Sequence, residues 1–154
     1  MSLTSNTNFL QPTGFRIVIE RAKYGNLEFF AQGVTHPGSS TTAVDMVVPR
    51  IQKFPIAGDS IEYSELSIQL ILDEDMVAYK EMQDWMERCA ESYEDLSQDI
   101  KVMILTSHNN SNVTITYENC IPVTIGSVEL NATGGDVTYI TYDASFRFSR
   151  FTIS

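Results

Sequence analysis

Residues 61 to 72, IEYSELSIQLIL, constrain the fold more than any other stretch of this chain. Leu66, Ile68, Leu70 and Leu72 share one side of an extended run, and Glu65, Ser67 and Gln69 share the other. Such a strand has one dry and one wet face, so it lies on a core from one side only. A second β-like run, AVDMVVPRIQ at 43 to 52, precedes it across KFPIAGDS. Together they predict a long hairpin over about 43 to 72, with Ile56-Ala57-Gly58-Asp59 at its return. Pro49 has no N–H to give a ladder, which places it at an edge or bulge.

The alternation then switches period. Residues 75 to 91, DMVAYKEMQDWMERCAE, put Tyr79, Met82, Trp85, Met86 and Cys89 at helical spacing, a stripe for packing on a sheet. Asp73 or Asp75 can cap the helix, where acids suit the positive end of its dipole. Around it the predicted strands are 15 to 21, 27 to 32, 100 to 106, 112 to 118, 121 to 130 and 137 to 152, with NATGGD as a hairpin turn. In the last run Phe146 and Phe148 share one face and Arg147 takes the other. The expected fold is α+β: an antiparallel β-sandwich or open barrel with one packed α-helix and a long β-hairpin. With 154 residues, one domain is expected at 14–154, behind a polar arm at 1–13.

Charge narrows the function. The net charge is −10, and residues 73 to 99 carry −8 of it. A duplex reader normally shows a basic patch, so specific nucleic-acid binding is disfavoured. Two cysteines, Cys89 and Cys120, stand outside any CxxC pair, and the two histidines, His36 and His108, fall in loops that face solvent. That disfavours a zinc site; pairing of the two thiols stays open. No segment has the apolar length of a membrane span, and the N-terminus lacks the basic and apolar regions of a signal peptide. A chain that starts in the cytoplasm is the expectation. No nucleotide loop or zinc-protease motif occurs. The carboxylates Asp73-Glu74-Asp75 and Glu94-Asp95 crowd the start and exit of a helix and do not face each other across a cleft. Neither an enzymatic activity nor a cofactor is expected.

The order of elements is more specific than any motif. An Asn8-Phe9-Leu10-x-Pro12 arm leads to two short strands and a Pro37-Gly38 loop. Then come Pro55-Ile56-Ala57-Gly58-Asp59 with the half-dry strand behind it, and an acidic step into a helix carrying Met82-Gln83-Asp84-Trp85. Over about residues 8 to 153 this resembles the tail tube protein of contractile-tailed, T4-type bacteriophages; related folds serve type VI secretion and other contractile injection systems. The resemblance implies a structural virion protein, assembled in the host cytoplasm, that forms hexameric rings stacked into a hollow tail tube. DNA would pass through without specific binding. The implied partners are copies of the chain, the tail sheath, the tape-measure protein, and baseplate and tail-terminator proteins, with no membrane insertion by this chain.

It further implies an inter-subunit hairpin bearing Val47, Pro49, Ile51, Phe54, Pro55, Gly58 and Asp59, and a lumen wall including Glu65, Ser67 and Gln69. Carboxylates there would repel phosphate by roughly 1 kcal/mol each in a water-like dielectric. Glu81, Asp84, Glu87 and Glu91 would face the sheath. The departures at Ile61-Glu62-Tyr63-Ser64-Glu65 and after the helix leave open whether this is the main tube subunit or a relative at the tube's end, such as a tube-like baseplate or terminator component; a tube subunit of a related contractile injection or type VI secretion system is a further alternative. A monomeric β-sandwich binding module and a paired-carboxylate hydrolase are the readings from other classes.

Overall fold

The structure is a computed structural model that describes residues 10, 12–19, 25–27, 30–47, 52–92, 96–133 and 139–154. Pro49 and Ile51 of the hairpin, most of the 1–13 arm, Glu94, Asp95 and the Gly134-Gly135-Asp136 turn lie outside these residues.

Nine strands and one long helix are described: β1 Phe15–Val18, β2 Ala31–Thr35, β3 Ser39–Val47, β4 Lys53–Tyr63, β5 Leu66–Ile71, α1 Val77–Glu91, β6 Gln98–Leu105, β7 Ser111–Ile125, β8 Thr141–Arg147 and β9 Arg150–Ile153. All pairings are antiparallel. A first sheet joins β1, β6, the leading part of β7, and β9. A second joins the trailing part of β7 to β8, β5 and β2. The expected α+β architecture is present, with one strand common to both sheets.

That shared strand corrects the sequence reading, which placed separate runs at 112–118 and 121–130. β7 is continuous over 15 residues. Asn119 does not make a turn; it takes a left-handed φ of 55° as the extra residue of a bulge, between Ile100↔Tyr117 and Gln98↔Cys120. The Asp99 Oδ1 accepts the Asn119 N–H at 3.1 Å, so the amide freed from the ladder is satisfied. Residues 126 to 130 are not strand.

The final run, expected as one strand over 137–152, is broken between β8 and β9. Glu118 makes the break: its carbonyl accepts the Ser149 N–H at 3.0 Å, and its carboxylate accepts Arg150 Nε and Nη2 at 2.6 and 3.3 Å. The chain thereby leaves the second sheet and pairs with β7 in the first. The second expected strand, 27 to 32, is also different. Leu27 and Phe30 are helical, and β2 begins at Ala31. Leu27 is buried in the core and Phe30, half-buried, packs against it.

The long hairpin exists with another register. Thr35 pairs with Ser67, Ser39 with Tyr63, and the Ser64 N–H reaches the Gly38 carbonyl at 2.9 Å. The ribbon therefore runs from β2/β5 into β3/β4 and returns between Val47 and Lys53, not at Gly58-Asp59. Gly58 sits within β4 opposite a register shift at Thr41/Ala43. A Cβ at Gly58 would collide with the Thr42 carbonyl, so glycine here admits a close backbone approach rather than a turn.

The core lies between the sheets and α1. Leu66, Ile68 and Leu70 are buried from β5, as the alternation predicts, with Ile17, Ile100, Val102, Tyr142, Ala144 and Phe146. On α1 the buried residues are Ala78, Met82 and Trp85, while Tyr79 and Cys89 pack at the margin. The Trp85 Nε1–H donates to the Leu96 carbonyl at 3.1 Å, giving the buried indole its partner. Helix entry departs from the expectation that Asp73 or Asp75 is the cap: the N-cap is a left-handed Met76 and no acid lies in the first turn, although the Asp73 Oδ2 accepts the Val77 N–H at 3.3 Å.

Cys89 and Cys120 do not pair in a disulfide. Burial pushes the Cys120 thiol up from 9.0 to about 12 and the Tyr117 phenol up from 10.0 to about 12. The unfolded chain sheds these protons first, so their contribution is complete below about pH 9 and is lost as pH rises toward 12. Urea unfolding should show a lower midpoint at about pH 10.5 than at about pH 8, and Cys120→Ser should shrink the difference.

Candidate assembly surfaces

The residues expected to carry function fall on three surfaces. The first is the outward side of the second sheet. Ser67 and Gln69 point away from Leu66, Ile68 and Leu70, and Glu65 is exposed just before β5. The sheet brings further polar residues beside them. Thr35, Ser67, Ser145 and Thr124 are successive cross-strand partners, as are Gly33, Gln69 and Asp143. This hydroxyl- and amide-rich wall includes Thr35, Thr124, Asp143 and Ser145, which the sequence analysis did not single out. Their signal was the alternation of Asp143, Ser145 and Arg147 against Tyr142, Ala144 and Phe146.

The same sheet ends on two open edges. Among the described residues nothing pairs with the outer side of β2, or with β7 over 121–125 on the side away from β8. Ile121 and Val123 are exposed there. An open edge presents unpaired N–H and C=O groups that another chain can complete.

The second surface is the β3/β4 arm, whose strand residues are almost all exposed. Val44 pairs with Ile56 and Met46 with Phe54, so these four share one face. Phe54 is 64% exposed and Met46 56%. The alternate face carries Ala43, Asp45 and Val47 opposite Ala57, Pro55 and Lys53, with Asp45 and Lys53 at 3.9 Å. Of the residues expected on the hairpin, Val47, Phe54, Pro55, Gly58 and Asp59 therefore lie in the arm, but on both of its faces. Val44, Met46 and Ile56 complete the apolar face and were missed, because the expected return at Gly58 broke their pairing.

At the root of the arm, Tyr63 packs against Phe148 and Phe151 with ring centres 5.3 Å apart in each pair. His36 keeps the exposed edge expected of it and also ties the arm to the body. Its Nδ1 hydrogen-bonds the Tyr117 hydroxyl at 2.6 Å, and its ring meets Phe151 edge-on at 4.9 Å.

The third surface is the outer side of α1. Asp84, Glu87 and Glu91 are exposed. Glu81 is half-buried and turns toward the helical turn at 25–27, where its Oε1 accepts the Asn26 Nδ2–H at 2.6 Å. Among the described residues no helix is long and apolar enough to cross a membrane.

No protein-family model and no curated protein matches the chain. Solved structures do. A chain in the structure of the anti-feeding prophage tube-terminating cap superimposes with a TM-score of 0.73 at 12% identity, over 99% of this chain and 95% of that one. A chain in the sheath-tube complex of the PVC extracellular contractile injection system, in its extended state, gives 0.69 at 13% identity over 99% of both. An Hcp protein gives 0.53 at 13% identity over 90% of both. The chain thus has a tail-tube-like α+β fold of the kind seen in contractile injection systems.

No residue of β3 or β4 lies in the buried core, so the apolar face of the arm is expected to add little to the stability of the body. Met46→Asp with Phe54→Asp should change monomer unfolding free energy by no more than about 0.5 kcal/mol, measured by urea titration under conditions where assembly is blocked.

Proposed function

We propose that this chain is a non-enzymatic structural subunit that closes into rings through the two open edges of its second sheet and stacks into a hollow tube. The single observation that carries this is a four-stranded sheet with an apolar inner face, a polar outer face and, among the described residues, both edges unpaired. Head-to-tail addition of β2 from one copy to residues 121–125 of the next satisfies both edges at once, and a closed ring leaves none exposed. The polar side then faces the channel. Six copies, the number implied by the T4-type resemblance, contribute far more strands than the ~16 that already leave an aqueous pore.

The arm continues the β2/β5 ribbon beyond the body and carries the unpartnered Val44, Met46, Phe54 and Ile56 face. In a tube this face docks on a neighbouring copy and locks rings together. Asp84, Glu87 and Glu91 form an acidic exterior suited to a basic sheath, by contacts weak enough to release. A phage tail tube that passes DNA, with tape-measure, baseplate and terminator partners, is the reading favoured by the order of elements. The tube, cap or terminator of a contractile injection system fits the same surfaces, and the structural likenesses support both.

Negative-stain microscopy of the purified protein should show rings or hollow filaments. Ile121→Lys with Val123→Lys should abolish rings, whereas Met46→Asp with Phe54→Asp should leave rings and abolish stacking. Wild-type protein that stays monomeric at high concentration across salt conditions would overturn the proposal. Adding sheath protein to preformed tubes of an Asp84→Asn, Glu87→Gln, Glu91→Gln variant tests the exterior: unchanged sheath assembly removes that part alone.

A further inference from the structure

The strands of the second sheet have two ends, and exposed apolar groups stand at both. At one end Thr35 pairs with Ser67, Leu66 with Phe146 and Ile121 with Arg147, and the β3/β4 arm leaves the body there. At the opposite end Ala31 pairs with Leu70, Ile71 with Thr141 and Ile125 with Ala144. Three segments emerge at that end: the 72–77 entry to α1, residues 126–130 after β7, and residues 139–140 before β8. Backbone bonds tie them to the strand ends and to each other. The Leu72 N–H donates to the Ile140 carbonyl at 2.8 Å, the Gly126 N–H to the Asp143 carbonyl at 2.6 Å, and the Met76 N–H to the Asp73 carbonyl at 3.1 Å. Val128 packs on the core, but Leu130 is 80% exposed and Tyr139 85%. Met76 and Val77 are exposed on the same rim. Ring closure through β2 and residues 121–125 uses strand edges and leaves this apolar rim bare.

Charge gives the rim a direction. Glu74, Asp75 and Glu129 are exposed and adjoin these apolar residues in the chain. The arm has the opposite sign at its return: from Val47 to Lys53 the sequence holds Arg50 and Lys53 and no acid. Lys53 stands 3.9 Å from Asp45, both side chains more than half exposed, a contact too weak to keep the lysine from another carboxylate. We infer that the rim of Met76, Val77, Leu130 and Tyr139 is the seat for the Val44, Met46, Phe54 and Ile56 face of a second copy, with Lys53 of that copy drawn to Glu74 and Asp75. The arm and the rim leave opposite ends of the same strands, so they meet between copies stacked in one orientation. Such a contact is heterologous and repeats without limit, as a tube requires. An arm-to-arm contact would be isologous, joining two rings and stopping. The inference rests on the ring-and-stack reading above and supplies its receiving surface.

The test uses two full-length variants, Met46→Asp with Phe54→Asp, which spoils the arm, and Leu130→Asp with Tyr139→Asp, which spoils the rim. Each is viewed by negative-stain microscopy alone and after mixing. Alone, each should give single rings. Mixed, they should give double rings and nothing longer, because one variant supplies the only intact arm and the other the only intact rim. Lys53→Glu should raise the protein concentration needed for filaments about tenfold or more, and adding Glu74→Lys with Asp75→Lys to that chain should recover it. These charge exchanges lie on exposed side chains and carry the test if the rim variant folds poorly. Filaments from the rim variant, a mixture that stays as single rings, or a Lys53→Glu defect that the added lysines do not recover would overturn this docking and leave the rim to another partner, with arm-mediated stacking still standing. Filaments from the arm variant would overturn the stacking reading and this docking with it, and wild-type protein that never forms rings would overturn both.

Discussion

The bulge at Asn119 is the constraint on which the architecture turns, because it lets one strand belong to two sheets. The backbone of β7 pairs with β9 up to Glu118 and with β6 up to Cys120; from Ile121 it pairs with β8. A strand crossing between sheets must bend and must dispose of the amide that leaves the ladder. Asp99 takes that amide, and Glu118 beside it gathers Ser149 and Arg150 so that β9 enters the first sheet. With both sheets fastened to β7, their dry faces close over α1, and Trp85 and Phe146 meet at 5.6 Å between ring centres.

That closure uses the inner faces and leaves the periphery unfinished. Among the described residues the second sheet ends on β2 at one side and on half of β7 at the other. The arm holds Val44, Met46, Phe54 and Ile56 clear of the body. Exposed apolar groups and open edges are liabilities in a monomer and assets in a polymer. The anchoring of the arm is correspondingly specific: Tyr63, Phe148, Phe151, Tyr117 and His36 interlock at its base. A projecting ribbon can then present its apolar face while its root stays with the core.

Much of this was legible from spacing. Leu66, Ile68 and Leu70 against Ser67 and Gln69 announced a half-buried strand, and Met82 and Trp85 announced a helix on a sheet. Those readings depend only on which side of a local element is dry. The failures share a different cause. Gly58-Asp59 and Asn119 carry turn chemistry, yet both sit in continuous strands, because a residue suited to a turn is equally suited to a bulge when a partner strand is present. Leu27 and Phe30 fit a strand by composition, but both are helical, with Leu27 in the core and Phe30 packed against it. Glu81 and Asp84 look alike in sequence; Asn26, distant along the chain, separates them.

What the sequence alone determined is therefore the period and polarity of each element: a half-dry β5, an amphipathic α1, an acidic helix region and a chain long enough for one core. Those properties arise from neighbours a few residues apart. Tertiary structure decided which strands pair, where the ribbon returns, and which edges stay open among the described residues. These depend on contacts between residues far apart in the chain, where backbone hydrogen bonds are satisfied only once the whole sheet order is in place.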